Sequence, residues 1–109
     1  MSNIDLKILG IPKSLSGYAY ILSAVEIYTM LICSRDVIKV TKDIYPEVAK
    51  KYGTKAQCVE RSIRFAVEAA FTKGNIDMLY DLFDNAIDER KGKVTSKVFI
   101  STLAYVAQV

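Results

Sequence analysis

Gln57, Arg61, Arg64 and Glu68 follow one another at steps of four, three and four residues. At about 100° per residue, that spacing puts them on one face of a helix. Side chains of these types suit recognition. Arginine can donate two hydrogen bonds to O6 and N7 of guanine, and glutamine can read N6 and N7 of adenine. Ala56, Val59, Ile63, Ala66, Val67 and Ala70 recur at steps of three and four on the opposite side, as a core-facing stripe does. The stretch from Gly53 to Gly74 therefore reads as one long amphipathic helix, with one side for a core and the other for a partner. Both ends carry signals. Thr54 is expected to cap the amino end, its hydroxyl accepting from a first-turn N–H. Gly74, with Asn75 behind it, is expected to take the left-handed conformation that ends a helix.

Little else in the chain offers chemistry. The sequence has no histidine, which removes the commonest general base and metal ligand. Cys33 and Cys58 lie far apart, form no metal motif and read as free thiols of a reduced compartment. There is no phosphate-binding glycine loop, so no catalytic residue, metal or cofactor is assigned and an enzyme is not expected. At 109 residues the chain suits one domain with one core. Half of it is apolar, glycine and proline are scarce, and no long alternating β-branched run occurs. These features predict an all-α fold of about six helices. The apolar run Leu15 to Cys33 contains Glu26 and three tyrosines, so it reads as a central core helix and not a membrane span. No cleavable signal is evident, because Asp5 and Lys7 interrupt the first apolar residues. A cytoplasmic protein is expected.

The net charge of +3 conceals segregation. Residues 1–34 are neutral, and residues 35–64 hold eight Lys/Arg against four Asp/Glu. Residues 65–89 hold one lysine against six acids, and residues 90–109 add Arg90, Lys91, Lys93 and Lys97 with no acid. Two basic blocks around an acidic one suggest a footprint for an anionic polymer.

The elements that must position the reading face follow from local signals. Ser2–Leu9 can form a short helix that buries Ile4, Ile8 and Leu9, and Gly10-Ile11-Pro12 breaks it. Ser14 or Ser16 can cap the apolar helix, with Ser34 marking the next break. Val37–Tyr52 reads as helical, with Ile38, Ile44, Tyr45, Val48, Ala49 and Tyr52 on its apolar side and a kink or split near Tyr45 caused by Pro46. Gly53 turns the chain into the long helix, so residues 45–73 have the pattern of a helix-turn-helix. Asn75 to Ala86 is expected as a helix with Ile76, Leu79, Leu82 and Phe83 inward and an acidic face of Asp77, Asp81 and Asp84. A polar basic loop, Ile87 to Val94, leads to a last helix capped by Thr95 or Ser96, with Phe99, Ile100, Leu103 and Val106 packing back.

Three blocks carry a family resemblance: Gly10-Ile11-Pro12 with Gly17-Tyr18-Ala19-Tyr20; Ile44-Tyr45-Pro46-Glu47-Val48-Ala49-Lys50-Lys51-Tyr52; and Val59-Glu60-Arg61-Ser62-Ile63-Arg64 leading to Lys73-Gly74-Asn75-Ile76-Asp77. Together they resemble the C-terminal effector domain of the stage-zero sporulation response regulator of spore-forming Firmicutes, over essentially the whole chain. The resemblance implies a six-helix fold and a transcription regulator that binds double-stranded DNA at TGTCGAA-type boxes. It also implies head-to-tail pairing on neighbouring sites, with RNA polymerase a further candidate partner. It places Glu60 and Arg61 on the family's base-contacting pair, where glutamate can accept from N4 of cytosine. Gln57 and Arg64 complete the candidate base readers. Lys91 and Lys93 fall on the family's basic loop, and Lys50, Lys51, Thr54 and Lys55 flank the start of the reading helix as further phosphate contacts. Gln57 and Cys58 replace the family's usual Ser and Arg, and Phe65 replaces its usual His. Cys58 and Phe65 sit on the reading side, which motivates an alternative: the same fold serving protein–protein interaction after losing DNA binding.

Overall fold

The computed structural model describes residues 6–34, 36–88 and 90–107. Among them are five α-helices and no strand: α1 Ser16–Ile32, α2 Tyr45–Tyr52, α3 Ala56–Lys73, α4 Ile76–Phe83 and α5 Ser96–Ala107. A π-type turn, Val40–Ile44, precedes α2, and a 3₁₀ turn, Asp84–Ala86, follows α4. The fold is all-α, as composition predicted. Among the described residues no helix is long and apolar enough to cross a membrane.

The centre is α1, which packs on α2, α3 and α5. Being apolar nearly all round, it gains from neighbours on several sides. Gly17 sets the α1–α3 approach. A Cβ there would lie 2.4 Å from the Ser62 carbonyl oxygen and 2.7 Å from the Ala66 Cβ, so only glycine lets these helices come this close. From α3 the core receives Val59, Ile63, Ala66, Val67 and Ala70, all buried as the periodicity predicted. Phe83 of α4 stacks on Phe99 of α5 at 5.1 Å and sits 5.9 Å from Phe71 of α3. Burying each large side chain of this kind is worth about 1.5–3 kcal/mol.

Several local expectations need correction. The described part of the first segment, residues 6–10, is a turn closed by Ile11 N–H donating to the Leu6 carbonyl at 2.9 Å. That closure points Leu6, Leu9 and Ile11 into the core and leaves Ile8 half exposed. Ile4 lies outside the described residues. Leu15, not Ser14 or Ser16, precedes α1, with no side-chain cap. Residues 36–39 are not helical, and the helical stretch begins at Val40. The split at Tyr45 is where Pro46 predicts it. Tyr45 N–H reaches back to the Val40 carbonyl, and Pro46 occupies the first turn of α2, where no amide hydrogen is needed. Ile76 stands exposed at the first turn of α4, while Leu79 and Phe83 carry the burial. Val106 is half-buried.

Gly74 is not left-handed: its φ is −81°. It is required for space. A Cβ on it would meet the Leu9 carbonyl oxygen at 2.2 Å, and a Cβ on Gly10 would meet the Gly74 Cα at 2.5 Å. Asn75 is the cap, its side-chain oxygen accepting from Met78 N–H at 3.1 Å. Thr95 plays the same part for α5, its hydroxyl accepting from Val98 N–H at 3.3 Å.

Candidate nucleic-acid interface

The turn between α2 and α3 is built by two backbone bonds. Gly53 N–H donates to the Lys50 carbonyl at 3.4 Å and Thr54 N–H to the Ala49 carbonyl at 2.9 Å. Gly53 makes this closure with φ +65° and ψ 36°, the left-handed conformation that glycine tolerates without cost. Thr54 is thus committed through its backbone to ending α2, and its hydroxyl does not cap α3. The residue preceding α3 is Lys55, in extended conformation, and no side chain caps the helix.

The amino end of α3 is therefore electrostatically uncompensated. Its first turn holds no acid, and a lysine stands at the cap position. The partial positive charge of a helix amino terminus favours anions, so Lys55 there works against the isolated domain and in favour of an anionic partner. Lys50 and Lys51, in the last turn of α2, sit at the end where a cation is favourable.

Along α3, Gln57, Cys58, Arg61, Arg64 and Phe65 are exposed and Glu60 is half-buried. The side chains of Gln57 and Arg61 make no hydrogen bond or ion pair among the described residues. Glu60 and Arg64 pair at 3.3 Å across one helical turn. One turn further, Glu68 accepts a hydrogen bond from Lys93 Nζ at 2.9 Å. The Lys93 hydrogen bond and charge hold the Glu68 carboxyl below the usual carboxylate range, and the nearby Arg64 charge lowers it further. Glu60, Arg64, Glu68 and Lys93 thus form a ladder of alternating charge that runs down α3 and ends on the basic loop.

That loop is a tight turn. Asp88 and Lys93 pair as an isolated antiparallel bridge, Gly92 N–H donates to the Asp88 carbonyl at 2.6 Å, and Gly92 takes φ +67°. An open groove of about 410 Å³ separates the loop and the start of α5 from α3, lined by Tyr45, Glu60, Arg64, Glu68, Lys91, Lys93 and Lys97 among others. Burial pushes the Tyr45 phenol up, a hydrogen bond with Ser96 opposes this, and the Glu60 charge adds to it. On the other flank, Arg61 and Phe65 border a shallow hollow with Leu15, Ser16 and Gly17.

The lysines divide into two groups. Lys50, Lys55 and Lys91 are exposed, with no partner among the described residues. Lys51 folds back on the core, its Nζ 3.3 Å from the buried Ser23 hydroxyl and 5.6 Å from the Tyr52 ring. Tyr52, expected on the apolar side of α2, is partly exposed and instead joins α1 through Ser23 at 3.0 Å and Tyr20 at 5.1 Å. Sequence reasoning left Lys97 out of the site, although it belongs to the same basic block. It also missed the ladder, whose last rung joins residues 25 apart in the chain.

A family model described as the sporulation initiation factor Spo0A C terminal matches residues 3–106. The chain belongs to this family. The match takes in the helix-turn-helix, the basic loop and α5, so the domain is a sporulation-initiation effector domain of a DNA-binding family. Within it, α3 occupies the second position of the helix-turn-helix and presents its polar face outward.

Proposed function

We propose that this domain is a sequence-specific DNA-binding transcription regulator of the cytoplasm that inserts α3 into the major groove of a TGTCGAA-type box. One observation carries the reading: the exposed half-turns of α3 hold Gln57 and Arg61 without partners, directly beside an uncapped helix end made more positive by Lys55. Arg61 reads guanine, Glu60 reads cytosine and Gln57 reads adenine, with Arg64 beside them. Lys50, Lys51, Thr54, Lys55, Lys91 and Lys93 hold phosphates and fix the register. Neighbouring boxes are occupied by domains paired head to tail, and RNA polymerase is engaged from outside the reading face. Asp77 and Asp81 of α4 and Asp84 of the 3₁₀ turn after it are exposed and would repel a phosphate backbone, which orients α4 away from the duplex.

One observation favours a second reading. Phe65 is 60% exposed on the reading side of α3, as an anchor in a protein interface is, so the fold could serve protein binding alone. Selection of preferred sites from random duplexes separates the two. The DNA reading expects an enriched box containing guanine and cytosine at the Arg61 and Glu60 positions. Recovery of no duplex, even at low salt, would sink it in favour of the protein interface.

A further inference from the structure

We propose that Glu68 is an internal counter-anion that competes with DNA phosphate for Lys93 and so sets the affinity of the domain for any duplex. The inference rests on the DNA-binding reading above. The turn that carries Lys93 is closed by the Asp88–Lys93 bridge, with Asp88 N–H donating to the Lys93 carbonyl at 3.1 Å, and buried Ile87 and Val94 on either side of it hold it to the core. From that fixed position its Nζ lies 2.9 Å from a Glu68 carboxylate oxygen. Glu68 occupies the place where a phosphate oxygen would otherwise sit, and it offers the same chemistry: an anionic oxygen accepting a charge-assisted hydrogen bond.

The pair is built to be exchanged and not to be permanent. Its side chains are 36% and 46% exposed, so water and salt reach it. Ion pairs this exposed are weak, because water and salt screen them, and a phosphate can displace one. Lys91 in the same turn has no such partner among the described residues, so it is available to phosphate from the outset while Lys93 is held in reserve. Glu68 is fixed on α3, the helix that carries the base readers, so it does not follow Lys93 onto a duplex.

The test is a double-mutant cycle with the whole 109-residue chain, measured by anisotropy of a labelled duplex carrying a TGTCGAA box and of a scrambled duplex. Glu68→Gln keeps the shape and removes the charge. It should tighten binding to both duplexes roughly two- to fivefold, the worth of one exposed pair. In a Lys93→Ala background the same change should give no gain. Three results overturn the proposal. If Glu68→Gln leaves affinity unchanged or weakens it, the pair is a strut that presents the loop. If the gain persists without Lys93, it is a general loss of repulsion. If neither the unaltered chain nor Glu68→Gln retains any duplex at low salt, the DNA-binding reading falls and takes this inference with it. Unchanged helical circular dichroism and melting of both variants secure the comparison.

Discussion

Arg61 and Arg64 lie three residues apart on one helix, yet their surroundings assign them different work. Arg64 is engaged by Glu60 at 3.3 Å, so part of its charge is already answered within the protein. Arg61 is exposed and meets no carboxylate among the described residues, so its guanidinium has its donors free for a base edge. Arg61→Ala should therefore cost about 1–3 kcal/mol of specific binding and relax the preference at one base pair. Lys91→Ala should weaken binding to all sequences about equally, since phosphate contacts carry no sequence information. Competition binding against a panel of single-base variants of the box measures both. An Arg61→Ala protein with unchanged affinity and preference would show that the reading face is elsewhere. Cys58 is an exposed free thiol in the first turn of α3, so that turn depends on Lys55 and the helix end for its positive potential.

At the scale of elements, the reading face is only as well placed as the α1–α3 crossing that supports it. Gly17 governs that crossing by space alone, because its would-be Cβ neighbours are backbone oxygen and a short, rigid side chain that cannot move aside. Gly17→Ala should force the helices apart and cost about 1–3 kcal/mol as an overpacking change. Gly53→Ala is a different case. Nothing lies within 4 Å of its would-be Cβ, so the cost is confined to holding alanine at φ +65°, about 1–2 kcal/mol. Urea denaturation of both gives the stability losses, and only Gly17→Ala should also displace α3 and weaken DNA binding beyond its effect on stability. This contrast also explains what could be read from the sequence. Pro46, Gly53 and the stripe from Val59 to Ala70 act through neighbours within a turn or two, and the split, the turn and the buried face followed from them, whereas the Asn75 cap was not among the expectations. Thr54 misled because the turn closes one residue later than expected and leaves Lys55 at the cap position. Gly74 misled because its constraint comes from Leu9, 65 residues away. The Glu68–Lys93 pair was invisible for the same reason: chain spacing says nothing about where a loop lands.

Over the whole molecule, the segregated charge becomes a statement about how binding responds to salt. The first basic block covers α2 and the first half of α3 and the second covers the 88–93 turn and α5, while the described acids between them are spread over α3, α4 and the turns after α4, where Asp77, Asp81, Asp84 and Asp88 are exposed. Net charge is only +3, so a uniform charge would steer DNA weakly; it is the local field of the lysines that attracts phosphate. Each neutralised phosphate steepens the plot of log affinity against log salt by about 0.9. Lys50, Lys55 and Lys91, the three candidate phosphate contacts whose ammonium groups have no partner among the described residues, set a floor of about −2.7. Transfer of Lys93 from Glu68 to phosphate brings the slope to about −3.6, and full engagement of Lys51 as well would bring it to about −4.5. Lys51 Nζ lies 3.3 Å from the Ser23 hydroxyl and 5.6 Å from the Tyr52 ring, so it reaches a phosphate only by giving up those contacts. The slope on a box-containing duplex should therefore lie between about −3.6 and about −4.5 according to how fully Lys51 engages, measured by anisotropy titrations across a range of potassium chloride. A value near the floor would mean that Lys93 stays on Glu68 in the complex. A flat plot would mean that phosphates contribute nothing and that the basic blocks serve another partner.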